Sequence, residues 1–266
     1  MRFSIITPNY NGGRFLEQTI SSVISQTSAG LELEYIVVDG GSSDCSHEIL
    51  ARYKGKINQT IIEKDRGPAN AINKGLALAS GEVLAWLNAD DIYYPDTLQR
   101  VQQALQNHPE AAICFGHCPI IDAQSKEIRL GITRFKELFY PLSSRFTYQC
   151  INYLSQPSLF FRRSAFAQAG FLREDLQAAW DYDFILRLWR SGGAVQVPNA
   201  PLAAFRWHEQ SISGQHFRRQ FQEEYEAAQA DAGRLAPQTL LHFFVRWGIV
   251  GMYSLMAWKR TYSKGQ

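Results

Sequence analysis

Over the first hundred residues, short apolar runs alternate with stretches in which apolar side chains recur every three or four positions. The runs have the length of buried strands, and the spaced stretches have the period of amphipathic helices. Phe3-Ser4-Ile5-Ile6-Thr7 predicts a first strand, and Phe15, Leu16, Ile20, Val23 and Ile24 predict the helix after it. Tyr35 to Val38 reads as a second strand, Thr60 to Ile62 as a short third and Val83 to Leu87 as a fourth. Ala69 to Ala79 reads as a helix stopped by Gly81, and Pro95-Asp96 opens another with Leu98, Val101 and Leu105 on one face. Strands alternating with helices imply a largely parallel α/β sheet.

The pattern loosens after residue 110. Residues 111–175 mix short strands with aromatic and polar connectors, and 134–152 has no clear period and reads as a loop. Trp180 to Trp189 predicts a helix ended by Gly192-Gly193, followed by strands at Val195 to Val197 and Leu202 to Phe205. The reading divides the chain into a half at 1–110, a second half of the same domain at 111–232, and a helical tail at 233–266. Leu240 to Trp258 is strongly apolar and approaches the roughly twenty residues a membrane span needs. His242, Arg246 and Tyr253 fall near one stripe, with Phe243, Phe244, Trp247, Val250 and Met256 elsewhere, and Lys259-Arg260 follow. That suits an in-plane amphipathic helix better than a span. Packing on the chain's own domain or on a second subunit are the alternatives.

Composition narrows the partners. A net charge of +2 on 266 residues gives no strong electrostatic footprint for nucleic acid or for a membrane from charge alone. Of four cysteines, Cys114 and Cys118 flank His117, too few ligands for a zinc site, so buried thiols of a reducing compartment are expected. The first residues lack a signal-peptide core, which gives a cytoplasmic expectation, at the inner face of the cell membrane if the tail docks there.

Three loops lie at the carboxyl ends of predicted strands: Asn9-Tyr10-Asn11, Asp39-Gly40-Gly41-Ser42-Ser43-Asp44, and Asn88-Ala89-Asp90-Asp91. Open α/β sheets bind ligands at that edge, so the three should converge on one crevice. Adjacent carboxylates repel each other, and a divalent cation such as Mg²⁺ or Mn²⁺ relieves the repulsion while holding a diphosphate. Asp39, Asn11-Gly12 and the acidic pair could each also be plain turn residues. Asp65, after the third strand, is expected at the same crevice. Asp181 and Asp183, two apart on a helix, point in different directions, so one at most faces the crevice, and helix capping is the alternative for either.

Taken in order, Thr7-Pro8-Asn9-Tyr10-Asn11, Val37 to Asp44, Asn88 to Asp91, Gln156-Pro157-Ser158-Leu159-Phe160-Phe161-Arg162-Arg163, Trp180-Asp181-Tyr182-Asp183 and Arg206-Trp207-His208 through Ser213 resemble a family 2 glycosyltransferase. The resemblance runs from residue 3 to about residue 214. It implies the GT-A fold, a Rossmann-like, mostly parallel mixed sheet flanked by helices, here with a C-terminal helical tail. It also implies inverting transfer from a nucleotide-sugar, usually a UDP-sugar, with Mn²⁺ or Mg²⁺, to a glycan or lipid-linked acceptor.

Carried over position by position, the resemblance puts Pro8 and Tyr10 at the nucleobase and gives Asp39 the uracil ring. Asn11, Asp65 and Asn88 belong to the same donor set. Asp90 and Asp91 would divide the sugar or ribose and the metal between them, with His208, Ser211 and Ser213 approaching the metal or diphosphate. Asp181 would be the catalytic base. The chemistry asks for the same division: one set of groups stabilises the departing diphosphate, and one carboxylate on the opposite face takes the acceptor proton.

The sequence also departs from the family pattern. Ala69 to Lys74 lacks the usual basic residue of that helix, for which Arg66 could substitute. Asn88 stands where many relatives have aspartate, and Trp180 where a glutamate is common. A dehydrogenase or nucleotidyltransferase is the competing enzyme class, although no Gly-x-Gly-x-x-Gly follows the first strand. A nucleotide-sugar-binding relative without activity is the competing non-enzyme.

Overall fold

The computed structural model describes residues 1–26, 30–208, 211 and 217–248. The strands in chain order are β1 (Arg2–Asn9), β2 (Glu32–Asp39), β3 (Gln59–Ile62), β4 (Val83–Trp86), β5 (Ile92–Tyr93), β6 (Ala111–Gly116), β7 (Ile120–Ile121), β8 (Glu127–Ile128), β9 (Leu159–Arg162), β10 (Gly193–Val197) and β11 (Ala203–Arg206). Seven form one sheet in the order β10-β6-β9-β4-β1-β2-β3. β4, β1, β2 and β3 run parallel, as do β10 and β6, while β9 is wedged antiparallel between β4 and β6. A small second sheet, β5-β11-β7-β8, stands beside it.

The period of two in each strand sorts its side chains between two apolar layers. Phe3, Ile5, Tyr35, Val37, Val83 and Ala85 point to one side, where helices α1 (Gly13–Ile24) and α4 (Thr97–Asn107) bring Leu16, Ile20, Leu98 and Val101. Ile6, Ile36, Val38, Leu84 and Trp86 point to the other, against Ile72 and Leu76 of α3 (Pro68–Leu78) and Phe184 of α8 (Trp180–Leu188). Coverage on both faces explains why these strands read as continuous apolar runs. α3 lies close on β1: a Cβ on Gly75 would sit 2.4 Å from Ile6 Cγ2, so only glycine fits there.

Several local features go beyond or depart from the expected elements. Residues 134–152 are helical in part, with α5 (Leu130–Glu137) and α6 (Arg145–Cys150) separated by a 3-10 turn at Tyr140–Leu142. α5 buries Thr133 and leaves Leu130 and Phe135 exposed, so no inward apolar stripe marks it in the sequence. Pro8 lies within β1 and not in a turn; pairing to β4 stops at Ile6, so Pro8 has β2 alone as its neighbour. Asp44 sits one residue before the N-cap of α2 (Ser46–Arg52), and its carboxylate accepts the Ser46 N–H at 3.0 Å and the Gly13 N–H that opens α1 at 2.8 Å. Cys114 and Cys118 are buried thiols as expected, but Cys45 is exposed and Cys150 half-buried.

Candidate active site

β1 and β2 end together, with Asn9 paired to Asp39, and this register builds the first part of the site. Asp39 is fully buried, and its Oδ2 accepts Asn9 Nδ2 at 2.6 Å and the Ser42 hydroxyl at 2.8 Å. Its Oδ1 accepts the N–H groups of Gly41 and Ser42 at 3.0 and 2.8 Å and meets His47 Nε2 at 3.1 Å. Burial alone would raise the Asp39 pKa, but the bonds from Ser42, Asn9 and His47 outweigh it and hold the carboxyl below its ordinary value. In this arrangement Asp39 fixes the turn. Of its partners, His47 has a half-exposed side chain and stands toward solvent.

Asp65 comes to the same place. A Cβ on Gly40 would lie 2.3 Å from Asp65 Oδ2, so the carboxylate packs directly on the Gly40 backbone. Asp65 Oδ1 accepts the Gly67 N–H at 2.8 Å. Asn11 has a left-handed backbone (φ 52°), and its Oδ1 accepts the Ser43 N–H at 2.8 Å, which ties the first loop to the second. Tyr10 stands 67% exposed at the rim, whereas Pro8 is buried beneath it. Gly12 touches both Asn9 and Ala89, so the loop after β1 abuts the loop after β4.

The neighbours Asp90 and Asp91 face opposite ways. Asp91 is fully buried; its Oδ1 accepts the Arg206 backbone N–H at 2.8 Å and its Oδ2 accepts Asn88 Nδ2 at 3.0 Å. Burial and the adjacent Asp90 charge push its pKa well above the ordinary value. Asp90 keeps a partly exposed carboxylate, whose Oδ2 lies 3.0 Å from His208 Nε2. His208 packs on Phe15, ring centroids 5.5 Å apart.

Arg206 organises this corner. Its Nε donates to the Asp90 carbonyl at 2.8 Å, and its remaining nitrogens reach the Asp122 carbonyl, Ser125 Oγ and Gln18 Oε1. The side chain is fully buried with its guanidinium 4.6 Å from the Phe15 ring centroid. β11 delivers Arg206 and then His208 beside Asp90. Ser211 is buried, and its hydroxyl donates to the His208 carbonyl at 2.7 Å. Ser213 lies outside the described residues.

Helix α8 presents its two acidic residues differently. Asp183 is buried and ion-paired with Arg187 at 2.9 Å. Asp181 is partly exposed and accepts the Tyr182 N–H at 2.8 Å. Burial raises its pKa, against that N–H and the nearby Lys136 cation. The two sides are connected: Asn88 Nδ2 lies 3.5 Å from Gln156 Oε1, Gln156 Nε2 donates to the Trp86 carbonyl at 2.8 Å, and Lys136 Nζ donates to Ser155 Oγ at 3.3 Å.

Helix α9 (Phe217–Ala232) contributes two carboxylates that the sequence did not announce. Glu223 accepts the N–H groups of Gln177, Ala178 and Ala179 at 2.8 to 3.1 Å, which satisfies the turn leading into α8 and Asp181. Glu224 is buried, bonded to Asn152 and Gln220, and pushed up to about 7 by burial. In sequence both look like ordinary charges of a polar helix. Lys136 was hidden in the same way within the stretch read as a loop. Arg66, considered for the diphosphate, is instead paired with Glu174, which also accepts Asn70 and Asn73.

The family model described as "Glycosyl transferase family 2" matches residues 4–170, more than half of the chain. The chain belongs to glycosyl transferase family 2. Among relatives, an uncharacterized glycosyltransferase of Nostoc sp. is 34% identical over 147 residues, 54% of this chain and 45% of that protein. A PGL/p-HBAD biosynthesis glycosyltransferase of Mycobacterium bovis is 29% identical over 198 residues, covering 73% of this chain and 72% of that protein. The chain spans less than half the length of the Nostoc relative and of a Rickettsia conorii glycosyltransferase, of which it covers 35%.

Solved glycosyltransferases share the fold. S. aureus TarS 1–349 in complex with UDP-GlcNAc superimposes with a TM-score of 0.69 at 19% identity, over 89% of this chain and 68% of that one. The mannosyltransferase PcManGT of Pyrobaculum calidifontis, in complex with GDP-Man and Mn²⁺, superimposes with a TM-score of 0.63 at 17% identity, over 99% and 82%. The expected GT-A architecture is therefore the observed one.

Proposed function

We propose that this family 2 chain is an inverting, metal-dependent glycosyltransferase that moves a sugar from a nucleotide-sugar, a UDP-sugar by preference, to a hydroxyl of a glycan or lipid-linked acceptor. The observation that carries the reading is the division of labour among the acids. Asp90 and His208 form a partly exposed pair, and among the described residues Asp181 is the aspartate of α8 with no cation bonded to it. The UDP-GlcNAc and GDP-Man held by the two structural neighbours support the donor class. The GT2 family match weighs against the dehydrogenase and nucleotidyltransferase alternatives.

A divalent cation fits the Asp90 end of the crevice: a carboxylate oxygen and an imidazole nitrogen 3.0 Å apart are suitable first donors, with diphosphate oxygens and water to complete the shell. Among the described residues no group of three or more such side chains gathers, consistent with a site that the donor itself completes. A cation there would neutralise charge developing on the departing diphosphate. Asp91, as the buried acceptor of the Arg206 and Asn88 N–H groups, would hold the loop that aims Asp90. Asp39 and Asp65, with Tyr10, Asn11 and Pro8, would form the nucleoside end.

In the transfer, the acceptor oxygen attacks the anomeric carbon from the face opposite the diphosphate while its proton passes to the Asp181 carboxylate. The bond from the anomeric carbon to the diphosphate oxygen breaks, its electron pair leaves with that oxygen, and configuration inverts. A base with a raised pKa suits this step, and Lys136 keeps Asp181 ionisable within its recess.

Calorimetric titration of UDP with and without Mn²⁺ tests the donor half. UDP should bind far more tightly with the metal, and Asp90→Ala or His208→Ala should weaken that metal-dependent binding by about tenfold or more. Equal binding in a chelator, or intact metal dependence in both variants, would contradict the assignment.

A further inference from the structure

The helix over 237–248 is inside out. Its inward stripe is Thr239, His242 and Val245, the first two almost fully buried, while its outward side carries Leu240, Leu241, Phe244 and Trp247. Phe244 is 70% exposed and Trp247 57%. The polar stripe seen in the sequence is thus the docked side: His242 Nδ1 meets the Gln149 carbonyl at 2.8 Å and Tyr182 Oη at 3.4 Å. Tyr253, Val250 and Met256 fall outside the described residues.

A second apolar strip adjoins the first. Leu138, Leu142 and Phe146 are 71%, 65% and 50% exposed on the segment running into α6. The His242 contact to Gln149 and the Arg145 ion pair with Asp231 at 2.8 Å hold α6, which carries Phe146, against the C-terminal helices. Scattered exposed apolar residues are ordinary; a run of this kind on adjoining helices marks a contact surface.

We infer that this face docks on an anionic phospholipid surface. Its charges favour that occupant: residues 233–248 contain Arg234 and Arg246 and no acid, and the neighbouring segment adds the exposed Arg134, while its acid, Glu137, is half-buried against His117. Across a two-fold axis a second copy would set these cations against themselves, whereas anionic headgroups neutralise them. Aromatic and leucine side chains flanked by arginine are the composition of a helix lying in a membrane interface. Among the described residues no helix is long and apolar enough to cross a membrane. Tyr182, which touches His242, directly follows Asp181, so docking would hold the acceptor side of the crevice next to the bilayer.

Co-sedimentation of the full chain with vesicles tests this without reference to catalysis. The chain should pellet with phosphatidylcholine vesicles containing about one part in four phosphatidylglycerol, much less with pure phosphatidylcholine, and less as salt rises. Phe244→Glu combined with Trp247→Glu should reduce binding by about tenfold or more, and Leu138→Glu with Leu142→Glu should reduce it in the same direction. UDP binding and the thermal midpoint of both variants should stay at the wild-type values, which separates lost docking from lost folding. Failure to pellet with anionic vesicles, or unchanged pelleting of both variants, would overturn the inference. So would a dimer in sedimentation equilibrium that the Phe244 and Trp247 changes dissolve, which would assign the face to a second copy.

Discussion

Asp90 and Asp91 are chemically identical neighbours with opposite circumstances, and the difference is made by Arg206, 115 residues further along. The sequence made the pair legible as a charged cluster at the end of a strand. It could not say which carboxylate turns inward, because the N–H that captures Asp91 belongs to another sheet. The Asp181 and Asp183 choice was half legible: the spacing required them to diverge, and the Arg187 ion pair decides which is spent.

Glu224 was not legible at all, since burial of a charge on a polar helix leaves no mark in the local sequence. Its pKa, raised from the ordinary 4.5 to about 7, makes a stability prediction. Below about pH 4.5 the group is neutral folded and unfolded; as pH rises through 7, the folded state must ionise a buried carboxyl, and stability on the order of 3 kcal/mol is lost across that window. Glu224→Gln should remove this loss, so urea unfolding should find the variant more stable than wild type at about pH 8 and much closer to it at about pH 5. The same stability difference at both pH values would contradict it.

At the scale of elements, β1, β2 and β4 could be read in advance because each is covered on both faces, and α1 and α4 because each has a single apolar stripe. α5 and α6 escaped because the residues that would mark an inner stripe point outward. The link from α9 to α8 also escaped, since one helix caps another from over forty residues away. Glu223 spreads one carboxylate over three N–H groups of the turn before Asp181. Glu223→Ala should leave them unsatisfied and cost about 1–3 kcal/mol in chemical unfolding. Turnover should fall with UDP affinity unchanged, and Glu223→Gln should restore part of it. A variant that loses UDP binding in proportion would place Glu223 in general folding and not in setting the base.

Over the whole molecule, the carboxyl ends of β1, β2 and β4 gather the loops proposed to hold the donor, at the edge where an open parallel sheet binds ligands. The small sheet adds Arg206 and His208 to that edge, and α8 closes the far side through Phe184 packed on Trp86, ring centroids 5.8 Å apart. The sequence carried the first of these layers in its strand order. The second sheet was invisible because β5, β7 and β8 are two residues each, too short for any period to register. The account depends on Asp181 acting on the acceptor and not on the donor. The direct measurement is UDP-sugar hydrolysis and UDP binding by Asp181→Asn, side by side with wild type. Turnover should fall by about a hundredfold or more while UDP with Mn²⁺ binds as before. Turnover near the wild-type rate, or UDP binding lost together with activity, would contradict it.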